Sequence, residues 1–309
     1  MKVVYMGTPD FAVAPLKALI ENGYEVVGVF TQPDKPVGRK AILTPPPVKV
    51  VALENNIPVF QPDSLKNGEG VRLLEELKPD ICVVVAYGKI LPEDFLRFPE
   101  YGCINIHGSI LPEYRGAAPI QRSVLDGKEF AGVTSMQMDV GLDTGDILFI
   151  EKTKILDNET SGDLYERLTV IGADLLIKTL KAIENGEVTP VKQDDEKSTY
   201  AAMLDKTMSP VDWSKPALEI HNQIRGLDPW PVAQTTLNGK NLKLFRSYIS
   251  DEFSGGAPGE AFVLKNGLGV YCGDGKAVVV TEVQYEGKKR MNAADFLRGC
   301  QLQKGTILG

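Results

Sequence analysis

Histidine is almost missing from this sequence, with two in 309 residues, His107 and His221. Cysteine is nearly as scarce: positions 82, 103, 272 and 300 form no C-x-x-C pair and no zinc-like spacing with the histidines. A disulfide framework or a structural metal therefore has no support, and a reducing cytoplasm fits the thiols. Long apolar runs are also missing. None reaches the roughly 18 residues that span a bilayer, and the opening MKVVYMGTPD is too short in apolar length for a signal peptide, so no membrane role is expected. Positive charge is in deficit, with 34 Lys and Arg against 41 Asp and Glu and a net charge of -7, so bulk charge does not favour a nucleic-acid partner. From Lys206 onward the balance reverses to 13 basic against 10 acidic residues, a locally basic tail on an otherwise acidic chain. Two nucleotide signatures are absent, G-x-G-x-x-G after the first strand and G-x-x-x-x-G-K-[ST] anywhere, so neither dinucleotide nor ATP binding has positive support.

What is present is alternation. The apolar runs KVVYM (2–6), YEVVGVF (24–30) and DICVVVA (80–86) are separated by amphipathic stretches such as FAVAPLKALIENG (11–23) and VRLLEELK (71–78). Continuous apolar strands between amphipathic helices imply a mostly parallel sheet covered on both faces, a doubly wound α/β domain. GCINIH (102–107) and GVTSMQM (132–138) continue the sheet, and a long helix runs from a Thr160 or Ser161 cap to Gly186. The catalytic domain is placed at 1–189, followed by a polar linker at 190–205. From 206 to 309 short strands at hairpin spacing, one pair joined by Asn238-Gly239, predict a small antiparallel barrel or sandwich. A long Pro-rich basic insertion, QPDKPVGRKAILTPPPVK (32–49), lies between a strand and a helix, where loops of such length are usually functional.

Candidate chemistry concentrates at CINIH. In an extended strand Cys103, Asn105 and His107 share one face, close to the carboxyl edge where open α/β sheets bind ligands. Cys103 and His107 are about 13 Å apart at roughly 3.3 Å per residue, which argues against a thiol-imidazole pair, whereas Asn105 and His107, about 6.6 Å apart, can flank one small reacting group. A lone histidine can equally be a satisfied core residue, the natural reading of His221. For His107 the loop VGLDTGD (140–146) supplies Asp143 and Asp146 to orient an imidazole, and spacing does not choose between them. Asp139, Asp143 and Asp146 match no Ca²⁺ loop pattern.

INIHGSILPEYRGAAPIQ (104–121), MQMDVGLDTGDI (136–147), GTPDFA (7–12), TQPDKPVGR (31–39) and VVVAYGKILP (83–92) together resemble the methionyl-tRNA formyltransferase family over nearly the whole chain. The resemblance implies transfer of the formyl group of 10-formyltetrahydrofolate to the α-amine of initiator methionyl-tRNA, with Asn105, His107 and Asp143 catalytic and Asp146 a turn residue. It implies a folate loop at Ser109, Ile110, Leu111 and Pro112, where the family has Ser-Leu-Leu-Pro. It also implies tRNA contacts from the insertion, centred on Arg39 with Lys35 and Lys40, and an OB-like C-terminal barrel. The basic EGKKR segment adds Lys288, Lys289 and Arg290 as tRNA candidates by charge. Neither metal nor protein partner is implied. Two rival readings stay open: the same chemistry on a small amine such as a sugar nucleotide, and a folate- or RNA-binding module without catalysis. The first has no need of the basic loop and tail; the second has no need of Asn105 and His107 together.

Overall fold

The computed structural model describes residues 1–38 and 40–309. They form two compact units, one comprising Met1–Gly116, Gly132–Thr153 and Tyr165–Tyr200, the other Ala117–Ala131, Lys154–Leu164 and Ala201–Gly309. The chain runs β1 (Lys2–Gly7), α1 (Val13–Glu21), β2 (Glu25–Phe30), β3 (Lys35–Val37), β4 (Ile42–Thr44), α2 (Pro47–Glu54), β5 (Val59–Phe60), α3 (Glu69–Leu77), β6 (Ile81–Val85), α4 (Glu93–Leu96) and β7 (Cys103–His107). It continues through β8 (Arg115–Gly116), α5 (Pro119–Leu125), β9 (Phe130–Gln137), β10 (Ile147–Lys154), α6 (Ser161–Glu184) and the two-residue β11 (Tyr200–Ala201).

Seven of these strands make one sheet in the order β10-β9-β7-β6-β1-β2-β5. From β5 to β7 neighbours are parallel, and β9 runs antiparallel to β7, so the sheet is mixed. Its central strands are buried on both faces, every residue of β6 and β7 included, which is why they read as unbroken apolar runs. Alternate residues Val4, Met6, Cys82, Val84 and Cys103 join Phe30 and Phe95 in one core cluster. At the carboxyl edge the Tyr87 carbonyl accepts from Thr8 Oγ1 at 3.0 Å and Gln32 Nε2 at 3.2 Å, tying together the exits of β1, β2 and β6.

The insertion is a short antiparallel hairpin, β3 with β4, whose Val37, Ile42 and Leu43 are each more than half exposed. Its base is clamped: Lys49 Nζ donates to both Asp34 carboxylate oxygens at 2.8 and 2.9 Å and to Gln61 Oε1 at 2.8 Å. Lys49 and then Gln61 hold the Asp34 carboxyl below its ordinary pKa.

In the second unit β12 (Ala233–Leu237), β13 (Lys240–Ser250), β14 (Ala261–Leu264), β15 (Gly267–Tyr271) and β16 (Ala277–Tyr285) form an antiparallel sheet ordered β12-β13-β16-β15-β14, and β17 (Met291–Asn292) pairs with β16. Asn238 (φ +52°) and Gly239 (φ +72°) both take left-handed backbone, as the two-residue turn between β12 and β13 requires. The helices α7 (Ala217–Gly226) and α8 (Ala293–Gly299) complete its core through Ile220, Ile224, Phe296 and Leu297.

Thr160 caps α6 by accepting from Asp163 N–H at 3.1 Å, while the Asp163 carboxylate accepts from Thr160 N–H at 3.0 Å. Burial alone would raise the Asp163 pKa, but the forked Arg246 contact and the cap outweigh it and bring it down to about 2. His221 is a satisfied core residue: its Nδ1 meets Ser247 Oγ and its Nε2 the Asp157 carbonyl, both at 2.8 Å.

Candidate active site

The site is built in the first unit from the end of β7 outward. Antiparallel register sets Asn105 opposite Met136 and His107 opposite Thr134, while parallel β6 sets Val84 beside Asn105. Cys103 belongs to the core, in the cluster that holds Phe95. All four cysteines are free.

His107 is 6% exposed, and its Nε2 lies 2.9 Å from the Tyr114 carbonyl oxygen. A carbonyl only accepts, so this contact assigns the hydrogen to Nε2 and leaves Nδ1 as the ring atom that can exchange a proton. Nδ1 faces Asp143 Oδ2 at 3.7 Å, too far for a hydrogen bond and close enough for strong charge interaction. Asp143 Oδ1 stands 3.5 Å from Asn105 Nδ2, and Oδ2 accepts from Gly116 N–H at 2.8 Å. One carboxylate thus addresses Asn105, His107 and β8 together.

The loop from 138 to 146 holds that carboxylate in place. Asp143 itself has φ +54°, a left-handed conformation that Asp tolerates better than most residues. Asp139 Oδ1 closes the turn by accepting from Gly141 N–H at 3.0 Å and Thr144 Oγ1 at 2.6 Å. A Cβ on Gly145 would meet the Gln137 carbonyl oxygen at 1.7 Å, so the close approach demands glycine. The Asp146 carbonyl accepts from Gln137 N–H at 2.8 Å, continuing the β9–β10 connection.

The 108–114 loop is tied to the sheet by Thr134, whose Oγ1 donates to the Ser109 carbonyl at 2.7 Å and accepts from Leu111 N–H at 3.2 Å. Ser109 Oγ donates to the Glu113 carbonyl at 2.6 Å, and the Leu111–Pro112 peptide is cis. Ser109 and Leu111 are buried, whereas Ile110 and Pro112 are partly exposed.

Several supporting groups had no signal in the sequence. The Tyr114 carbonyl and Gly116 N–H are backbone atoms, and Gln193 sits in the segment expected to be a linker. Gln193 Nε2 donates to the Asp143 carbonyl at 2.8 Å and the Gly145 carbonyl at 2.7 Å, and its Oε1 accepts from Arg115 Nε at 3.0 Å and Nη2 at 2.8 Å. Thr199 Oγ1 accepts from Tyr114 N–H at 2.8 Å, bracing the residue whose carbonyl holds His107.

The residues expected to touch tRNA are more dispersed. Lys35 and Lys40 are exposed on the insertion, and Arg39 lies outside the described residues. Lys288 and Lys289 are exposed between β16 and β17. Arg290 is engaged within its own unit: it pairs with Glu282 at 2.7 Å and Asp228 at 3.2 Å and stacks 4.0 Å over the Phe245 ring. Burial raises the pKa of Asp228 despite this partner. Among the described residues no three His, Cys, Asp or Glu side chains gather as a metal site, and no helix is long and apolar enough to cross a membrane.

Residues 1–180 match the family model described as formyl transferase, and residues 203–301 match the one described as formyl transferase, C-terminal domain. The chain is 50% identical over 310 residues to the methionyl-tRNA formyltransferase of Clostridium novyi, covering 100% of both chains. It is 48% identical over 309 residues to that of Bacillus subtilis, covering 100% of this chain and 98% of the relative. Among solved structures, an N-formyltransferase from Helicobacter canadensis in complex with folinic acid and dTDP-3-aminofucose aligns with TM-score 0.71 at 24% identity, over 92% of this chain and 99% of that one. A sugar 3N-formyl transferase with dTDP and 5-N-formyl-THF aligns with TM-score 0.69 at 23% identity, over 94% and 99%. These two likenesses are of fold.

Proposed function

The chain belongs to the methionyl-tRNA formyltransferase family, formyltransferases that act on initiator methionyl-tRNA, and on that premise we propose how its residues perform the transfer. The formyl donor is folate-derived, and we take it to be 10-formyltetrahydrofolate. The neutral α-amine of the methionyl ester attacks the formyl carbon, forming the new C–N bond and an anionic tetrahedral oxygen. Collapse breaks the bond to N10 of the folate, which takes up one proton while the amine loses one, so tetrahydrofolate and N-formylmethionyl-tRNA leave in balance.

In this reading Asn105 donates through Nδ2 to the developing oxyanion, since an amide turned toward that atom stabilises charge present only in the transition state. His107 carries the amine proton on Nδ1, the ring atom left after Nε2 is committed to Tyr114. Asp143, 3.7 Å away, stabilises the imidazolium that forms. The single observation that carries the assignment is the convergence of Asn105 and His107 on the Asp143 carboxylate at the end of β7. The loop Ser109, Ile110, Leu111 and Pro112 is proposed to receive the folate, with Ile110 and Pro112 offering the accessible surface.

For the tRNA we propose the insertion, with Lys35, Arg39 and Lys40, and the C-terminal residues Lys288 and Lys289 as phosphate contacts. Arg290 is proposed to act from the same turn, its charge already shared with Glu282 and Asp228. The proposed division is a catalytic domain at 1–189, a linker at 190–205 and an OB-like barrel at 206–309, with the enzyme working in the cytoplasm. The test is transfer of labelled formyl from 10-formyltetrahydrofolate to initiator methionyl-tRNA, compared with a free amine such as an amino sugar nucleotide. Preference for the free amine would overturn the acceptor assignment. His107→Ala turnover within a few-fold of the parent would overturn the catalytic one. Apparent affinity for tRNA should fall steeply between about 50 and 200 mM salt, because phosphate contacts release counterions.

A further inference from the structure

We propose that Gln193 is a positioning residue for formyl transfer, fixing Asp143 relative to His107 from a segment that by sequence is only a polar connection. The inference rests on the formyl-transfer reading of Asp143.

The geometry is specific. Asp143 has left-handed backbone, and its loop must be held from outside if the carboxylate is to stay 3.7 Å from His107 Nδ1. Gln193 spends both amide hydrogens on that loop, one on the carbonyl of Asp143 and one on that of Gly145. Its oxygen accepts a forked contact from Arg115, the first residue of β8. The next residue, Gly116, supplies the N–H that holds Asp143 Oδ2 at 2.8 Å. One side chain thus sets the backbone position of Asp143 and the position of the N–H donor that aims its carboxylate. Arg115 Nη2 also donates to Asp195 Oδ1 at 2.7 Å, so two residues of the 193–195 segment hold the one guanidinium. Both polar side-chain atoms of Gln193 are committed within the protein, which is what separates a positioning residue from a catalytic one.

Gln193→Glu tests the amide hydrogens. The carboxylate still accepts from Arg115, but it offers no hydrogen to the two loop carbonyls and faces them with like partial charge. A displacement of about 1 Å at a reacting group can cost about 100-fold in rate, so kcat should fall by about 30- to 100-fold. KM for 10-formyltetrahydrofolate and for methionyl-tRNA should stay within about twofold. Gln193→Met, similar in length and unable to donate or accept, should fall at least as far. The decisive measurement is the cycle with Asp143→Ala: if Gln193 acts through Asp143, Gln193→Glu costs almost nothing further in that background.

Several outcomes overturn the proposal. If Asp143→Ala alone is silent, the formyl-transfer reading of Asp143 fails and the inference with it. Should Asp143→Ala be costly while Gln193→Glu turns over like the parent, the inference alone fails. A Gln193→Glu loss that persists at full size without Asp143, or one that accompanies loss of cooperative thermal unfolding in both Gln193 variants, assigns the residue to the scaffold instead.

Discussion

Replacing Asp143 by Asn keeps the size of the side chain and removes its charge. In the parent, Oδ2 accepts from Gly116 N–H and Oδ1 faces Asn105 Nδ2. The introduced amide must keep its oxygen toward Gly116, because a backbone N–H cannot donate to an NH2 group that is itself a donor. That NH2 then meets Asn105 Nδ2, donor against donor, and the Asn105 amide has to flip. The substitution therefore disturbs the proposed oxyanion donor as well as the charge opposite His107. The charge effect follows from the 3.7 Å separation of two side chains only 7% and 13% exposed. At an effective dielectric of about 20 the pair is worth about 4 kcal/mol in a transition state that carries an imidazolium, and each 1.36 kcal/mol or so is tenfold in rate. Part of this is recovered by the polar amide, so the expected loss in kcat is about 10²- to 10³-fold with the fold retained. Single-turnover formylation of methionyl-tRNA at saturating donor reads the chemical step directly. A rate within threefold of the parent would refute both the imidazolium and the role given to Asp143.

Gly145→Ala places a methyl 1.7 Å from the Gln137 carbonyl oxygen; overpacking of this kind costs about 1–3 kcal/mol, visible as a lower denaturant midpoint, and the shifted Asp143 loop should lower kcat about 100-fold. Lys49→Met removes the clamp on Asp34 and Gln61 at the base of the hairpin; KM for methionyl-tRNA should rise about tenfold while KM for the donor is unchanged, as initial rates would show. Burial first, and Arg225 as well, lower the pKa of His221 below its ordinary value in the folded protein. The unfolded chain then binds the extra proton first, and the contribution of His221 to stability is lost as pH falls through about 6.5. Thermal unfolding between pH 7 and 5 should therefore shift downward in the parent and less in His221→Gln; equal shifts would remove His221 as the cause.

Much of the first unit was legible because buried parallel strands need continuous apolar residues and their helices need one apolar stripe. KVVYM became β1, DICVVVA became β6, and the period-two pleat of CINIH put Asn105 and His107 on one face. Asn238-Gly239 announced its hairpin because few other pairs accept two positive φ values. The sequence pattern leaves Thr160 or Ser161 as the cap of α6, and the structure selects Thr160, whose hydroxyl accepts from Asp163 N–H. The direction of β9 was not legible, since an apolar strand of eight residues looks the same whichever way it enters the sheet.

Local residue pattern by itself determined the central strands and the long helix of the first unit, the shared face of Asn105 and His107, and through motif the family, but not the β3–β4 hairpin of the insertion or α8. Spacing could not choose between Asp143 and Asp146, because both lie in the one loop that follows the strand beside β7 and either is within reach of it. Only the tertiary structure decided which oxygen faces which nitrogen, that His107 commits Nε2 to a carbonyl, and that Gln193 reaches back fifty positions to hold Asp143. The physical reason is that a strand's period and a turn's φ are properties of a few consecutive residues. Hydrogen bonds to backbone atoms from distant segments exist only after the chain has closed its loops, and no residue type advertises them beforehand.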